Sequence, residues 1–200
     1  MDKEFYLSKL RDKNTSTLDF RQASNELSKL TALESLNFVE TESIEVVTPH
    51  KKTLGVTIKN PPLLVIILRS GMALLPSFLE IYPEASVAVI GIYRESITAK
   101  PHLYYQNIPK IDRKAPVFIL DPMLATGQSA KVVIELLKNL NIEENMIHIF
   151  SFFGAKPGVE SIHKTHSQVK LHIHQIDPEL NKKFEIVPGL GDFGDRYFKS

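Results

Sequence analysis

The pattern of apolar and polar positions changes character near residue 60. In the stretch 18–36, Phe20, Ala23, Leu27, Leu30 and Leu33 recur at spacings of three and four, which predicts a helix with one apolar face and Thr17 as its N-cap. Residues 43–48 alternate and are β-branched, with 51–58 as a partner, so a strand or hairpin is expected there. Leu63–Leu68 is then a continuous apolar run, as in a strand covered on both faces, and Arg69, Ser70 and Gly71 break it. A short helix fits 72–80, and further strands fit 86–93, 117–120, 147–153 and 169–176. Between them, 129–140 places Ala130, Val133, Ile134, Leu137 and Leu140 on one helical face, and 157–166 reads as another helix.

Strands alternating with helices imply an α/β fold, a central mainly parallel sheet flanked by helices, with the N-terminal helix and β-hairpin as additions. Ligands of such sheets bind at the carboxyl ends of the strands. Three loops are therefore singled out: 69–72, the stretch after Tyr93, and 121–129. The segment 93–116 is polar and carries Arg94, Lys100, His102, Tyr104, Tyr105, Lys110 and Arg113. A connection this long is usually functional, and a hairpin or lid over the site is expected, with Tyr104 and Tyr105 on it.

The 200 residues fit a single domain: a helix and β-arm over 1–60, a core over 61–180 and a tail over 181–200. With 43% apolar and 24% charged residues the composition is globular, and the net charge of +1 lacks the basic footprint of a nucleic-acid binder. There is no cysteine, which excludes disulfides and thiolate chemistry. The polar N-terminus lacks a signal-peptide core and no apolar run can span a bilayer, so no membrane partner and a cytoplasmic location are expected.

The turn from Asp121 through Pro122, Met123, Leu124, Ala125, Thr126, Gly127 and Gln128 to Ser129 joins a buried strand to an amphipathic helix. Free N–H groups and the helix dipole favour an anion at such an entrance. Gly127 allows close backbone approach, the Thr126 and Ser129 hydroxyls add donors, and Asp121 can accept from sugar hydroxyls or metal-bound water. The physics alone supports a phosphate site and a plain capped turn about equally. It is not a P-loop, since no Gly-x4-Gly-Lys-Ser/Thr pattern exists.

This nine-residue turn closely resembles the phosphoribosyl-diphosphate (PRPP) motif of the uracil phosphoribosyltransferase family. The resemblance extends to residues 10–17 with Phe20 and Arg21, to 67–71, 91–94 and 102–105, and to 186–198. It implies conversion of uracil and PRPP to UMP and diphosphate in pyrimidine salvage. Arg69 and Arg94 would neutralise the diphosphate leaving group, and Asp121 and the turn, together with Asp192, would hold PRPP. Uracil would be read at Ile186, Gly191, Asp192 and Phe193. Mg²⁺ is implied as a passenger on the diphosphate, with Asp121 at most an outer-shell ligand and no firm protein metal site. A homodimer or homotetramer and a GTP effector are further implications, as is a cis peptide at Arg69–Ser70 or its neighbour. Two alternatives stay open: a phosphoribosyltransferase-fold regulator that binds RNA, and an enzyme using another base.

Several features depart from the family pattern or read as neutral. Gln128 stands where a second glycine is usual and would crowd or newly contact the phosphate; Phe193 would narrow the base pocket; Ser70 replaces alanine; the chain end lacks Gly-Thr. Gly189, Gly191 and Gly194 spell Gly-x-Gly-x-x-Gly, but only six residues follow, leaving no helix or second strand to complete a dinucleotide site. His163, His166, His172 and His174 read as core or surface histidines, and Glu143 and Glu144 as a solvated turn.

Overall fold

A computed structural model describes residues 3–95, 98, 100–110 and 112–200. The chain opens with helices α1 (Lys3–Arg11) and α2 (Thr17–Glu34), then a hairpin of β1 (Thr41–Val47) and β2 (Lys52–Ile58). The nine-residue α1 is too short for a clear period, but Tyr6, Leu7 and Leu10 are buried. Ser16, not Thr17, caps α2: its hydroxyl oxygen accepts the Asp19 N–H at 3.1 Å. Phe20, Ala23 and Leu27 are buried as expected, whereas Leu33 is 51% exposed. The buried stripe runs instead through Ser24, Ser28 and Thr31, two of whose hydroxyls are satisfied by carbonyls, Ser28 by Ala73 and Thr31 by Leu27. Small hydrogen-bonded polar residues let helices pack closely, so hydrophobicity alone misplaced this face.

The central sheet contains β3 (Leu63–Leu68), β4 (Val87–Arg94), β5 (Pro101–Asn107), β6 (Val117–Leu120), the short β7 (Met123–Leu124), β8 (Ile147–Ala155) and β9 (Lys170–Asp177). Pairing runs β5–β4–β3–β6–β8, with β9 and β7 also on β8; only the β4–β5 pair is antiparallel. Along β3, β6 and β8 alternate residues enter two separate cores. Leu64, Ile66, Phe118 and Phe150 face one side with α1, α2 and α3 (Leu75–Ile81). Leu63, Val65, Ile119 and Ile149 face α4 (Gln128–Asn139) and α5 (Lys156–Thr165) on the other. The expected helix over 72–80 is a 3₁₀ turn, Ser70–Ala73, followed by α3. Leu140 lies beyond α4 and is 42% exposed.

Because β4 and β6 flank β3 on opposite sides, the winding reverses at β3, and a crevice opens at the carboxyl ends of these strands. The tail closes over it as a small hairpin, β10 (Glu179–Leu180) with β11 (Ile186–Val187), and then α6 (Phe193–Phe198). The six residues after Gly194 thus do form most of a helix, contrary to expectation, although no strand follows it. No helix among the described residues is long and apolar enough to cross a membrane.

Candidate active site

Asp121 leaves the end of β6 and points into the crevice. Ser70 donates its hydroxyl to Asp121 Oδ1 at 3.1 Å, and the Met123 N–H approaches the same atom at 3.4 Å. The density of protein around the carboxyl pushes its pKa up to about 6; the Arg94 charge and these two hydrogen bonds oppose that rise. Near neutral pH Asp121 is thus close to its protonation point, and a bound cation or polyanion would decide its state.

The turn after Asp121 is shaped from below. The Pro122 carbonyl accepts from the N–H groups of Phe152 and Phe153 at 3.0 and 3.1 Å, and Leu124 is buried in the α4-side core. Gly127 caps α4 at φ 76°, a conformation that a side chain would strain. On α5, Gly158 comes so close that an added Cβ would lie 2.1 Å from the Ala125 carbonyl oxygen. The N-terminus of α4 is therefore held open toward the crevice, with the Gln128 N–H turned to Thr126 Oγ1 at 3.3 Å.

The tail is fixed from the opposite end of the sequence. Asp177, ending β9, accepts the Gly189 N–H at 2.9 Å and pairs with Arg11 at 2.6 and 3.0 Å; Arg11 also donates to the Gly189 carbonyl at 2.9 Å. Arg196 donates to the carbonyls of Leu190, Leu10 and Asp12. Asp192 caps α6 by accepting the Asp195 N–H at 2.9 Å. The Val187–Pro188 peptide is cis, and so is Leu68–Arg69, the neighbour of the peptide flagged in the sequence.

These pieces enclose a cavity of about 500 Å³. Its walls include Ser70, Arg94, Asp121, Met123, Ala125 and Ser129 from the strand ends, and Ile186, Gly191, Asp192 and Phe193 from the tail. A shallow cleft sharing Arg94 and Asp121 continues along Leu124, Thr126, Gly127 and Gln128. Every expected PRPP residue except Arg69 and Pro122 lines one of the two. Arg69 is exposed, 3.1 Å from Ser200 Oγ and stacked over Phe198. Tyr104 and Tyr105 lie exposed on β5, which pairs with β4 as a hairpin; neither lines the cavity.

A chain with this arrangement can be compared with known proteins. The sequence model of the family described as uracil phosphoribosyltransferase matches residues 4–200. The chain belongs to that family. A relative named uracil phosphoribosyltransferase from Fervidobacterium nodosum is 40% identical over 195 residues, covering 97% of this chain and 93% of the relative. One of the same name from Mesoplasma florum is 38% identical over 192 residues, covering 96% and 92%. Among solved structures, the AQ2163 protein from Aquifex aeolicus superposes with a TM-score of 0.88 at 30% identity, covering 98% of this chain and 93% of that one. The purine phosphoribosyltransferase from Pyrococcus horikoshii, at 17% identity and a TM-score of 0.51, covers 78% and 84% and shares the fold.

Within the family frame, the departures acquire definite positions. Gln128 is the exposed first residue of α4 and lines the shallow cleft beside the cavity. Phe193 is 2% exposed, its ring packed against Phe20, Phe152 and Tyr197, so its ring goes into the core instead of narrowing the pocket. Glu144 is not a solvated turn residue: His166 lies 2.9 Å and Lys138 3.0 Å from it, and these partners hold its pKa below the usual carboxylate range. Lys183, Phe184 and Glu185, on the turn between β10 and β11, line the cavity, and the sequence singles out none of them. The asparagine that opens that turn, Asn181, is the one signal that could have marked it.

Proposed function

We propose that this protein transfers the 5-phosphoribosyl group of PRPP to uracil, releasing UMP and diphosphate. The observation that carries the reading is the cavity, with its adjoining cleft, in which the helix-entrance turn, Arg94 and the glycine-rich tail meet. The turn suits the 5-phosphate, held by α4 N–H groups and the Thr126 and Ser129 hydroxyls. Asp121 suits the ribose hydroxyls. Arg94 faces the charge that grows on the diphosphate as the C1–O bond breaks. Uracil, placed by main-chain groups around Gly191 and by Ile186, attacks C1 through N1 as the C1–O bond to diphosphate breaks, and its N1 proton passes to the released diphosphate. No covalent intermediate is needed, since the site binds, orients and excludes water.

The donor set also suits Mg²⁺ carried by the substrate. Among the described residues no cluster of three His, Asp or Glu side chains can hold a metal, while Asp121 and Asp192 offer carboxylates at the cavity wall. A hard cation on the diphosphate with one or two such carboxylates or waters fits that supply, and it would stabilise the leaving group. Ile44, Val46, Val47, Leu54 and Val56 are exposed on the β1–β2 hairpin and suit association with a second copy.

The deciding experiment incubates the purified protein with PRPP, Mg²⁺ and each nucleobase in turn. UMP and diphosphate from uracil alone are expected. Turnover of a purine instead, or tight RNA binding without turnover, would overturn the reading.

A further inference from the structure

Phe184 occupies a backbone position that suits glycine. β10 and β11 pair with Leu180 opposite Ile186, and the Asn181 N–H extends the ladder to the Glu185 carbonyl at 2.9 Å. Lys182, Lys183 and Phe184 make the turn. The Phe184 N–H donates to the Asn181 carbonyl at 2.9 Å, and Phe184 itself takes φ 62°. Three-residue hairpin turns of this type end on a left-handed residue, where glycine is unstrained and a bulky side chain is an outlier.

The strained turn is held by Asn181. Its Oδ1 accepts the N–H groups of Lys183 and Glu185 at 2.8 and 3.0 Å, and its amide donates to the Glu185 carboxylate at 2.7 Å. A bulky residue kept in strain by its surroundings calls for a reason. Core packing does not supply one: Phe184 belongs to neither hydrophobic core. It is half-buried and lines the cavity two residues before Ile186. The aromatic residues of the described wall are Phe184 and Phe193, and the Phe193 ring is committed to the core.

We propose that Phe184 is an affinity- and specificity-determining residue for the acceptor base, its ring forming the flat apolar surface against which the pyrimidine packs. The inference rests on the uracil reading. Main-chain groups can satisfy the polar edge of a pyrimidine, but its faces need an apolar or π partner.

The test uses the full chain and begins with wild-type turnover of uracil, whose absence would sink the uracil reading itself. In Phe184→Gly the uracil KM should rise about fivefold, with the PRPP KM unchanged. Thermal stability should hold or rise, because glycine relieves the left-handed strain. Phe184→Tyr should keep a wild-type uracil KM, and Phe184→Asn, which tolerates this φ, should behave like the glycine variant. A uracil KM within twofold of wild type in both Phe184→Gly and Phe184→Asn would overturn the proposal. So would a parallel rise in both KM values, or loss of folding in both variants, which would make Phe184 a structural residue.

Discussion

Arg11 and Asp177 lie 166 residues apart in the chain and 2.6 Å apart in space. Their bidentate pair joins the end of α1 to the end of β9, and both residues also hold Gly189, one through its carbonyl and the other through its N–H. Arg11 lies 4.5 Å over the Phe153 ring as well. The glycine-rich tail is therefore positioned by charge fixed elsewhere in the fold.

Removing the buried Asp177 leaves the part-exposed Arg11 without its partner and the Gly189 N–H without its acceptor. Asp177→Ala should destabilise the protein by about 2–3 kcal/mol, a fall in Tm of roughly 4–12 °C by calorimetry. Asp177→Asn, which keeps an acceptor for the Gly189 N–H, should lose less. Equal losses in the two variants would show that the charge, not the hydrogen bond, sets the cost.

Asp121 should make stability fall as pH rises. Its folded pKa of about 6 lies above the ordinary 3.8, so the folded state keeps its proton over that window while the unfolded chain has released it. Asp121→Asn should therefore gain about 1–3 kcal/mol over wild type above pH 6. The gain should shrink to nothing below pH 4. Denaturant unfolding at a series of pH values measures it, and a gain independent of pH would refute the assignment.

The His148–His172 pair has the opposite sign. Nδ1 of one lies 3.0 Å from Nε2 of the other, and burial depresses their pKa values to about 3 and about 4, helped by Lys170 for both and by the His172 charge for His148. The unfolded chain takes up protons below pH 6.5 while the folded chain does not, so the stability they contribute is lost as pH falls from 6.5 toward 4. The double variant His148→Leu/His172→Phe, which suits the Phe38 and Phe150 rings beside them, should flatten that acid limb in a Tm–pH series.

In the proposed reaction Arg94 would act on the leaving group, and its charge also opposes protonation of Asp121. Arg94→Ala should lower kcat/KM for PRPP on the order of 100-fold. The acid limb of the rate profile should also move to higher pH, since the Arg94 charge opposes protonation of Asp121. A rate loss with an unmoved limb would separate Arg94 from Asp121.

Gly158 tests the support of the turn over 121–129, the proposed phosphate site. A methyl group there would lie 2.1 Å from the Ala125 carbonyl oxygen and 3.3 Å from the Gly127 nitrogen. Gly158→Ala should displace the turn and raise the PRPP KM about tenfold, with the uracil KM much less affected. Isothermal titration with PRPP would show the loss directly.

Strands β3, β4, β6 and β8 were legible because each holds an apolar run of strand length, and burial on both faces leaves few other ways to satisfy Leu63–Leu68 or the fully buried β8. The α2 face was only half legible, since Ser24, Ser28 and Thr31 are buried, the latter two through hydrogen bonds that no hydropathy pattern records. The turn over 121–129 could be singled out because it lies in nine consecutive residues. The base side could be named only by resemblance: its cavity wall is assembled from strand ends and tail, and Lys183, Phe184 and Glu185 carry no local mark of being there.

By itself the sequence determined the α/β class, the strand–turn–helix connection over 121–129 and, through its family motifs, the reaction class, because each is encoded in contiguous residues or local periodicity. Tertiary structure alone decided that Arg69 stacks on Phe198, that the Phe193 ring is core, that Phe184 lines the pocket, and that Arg11 and Asp177 hold the tail. Those are contacts between distant segments, and they follow from how the chain closes around the sheet, which no local pattern specifies.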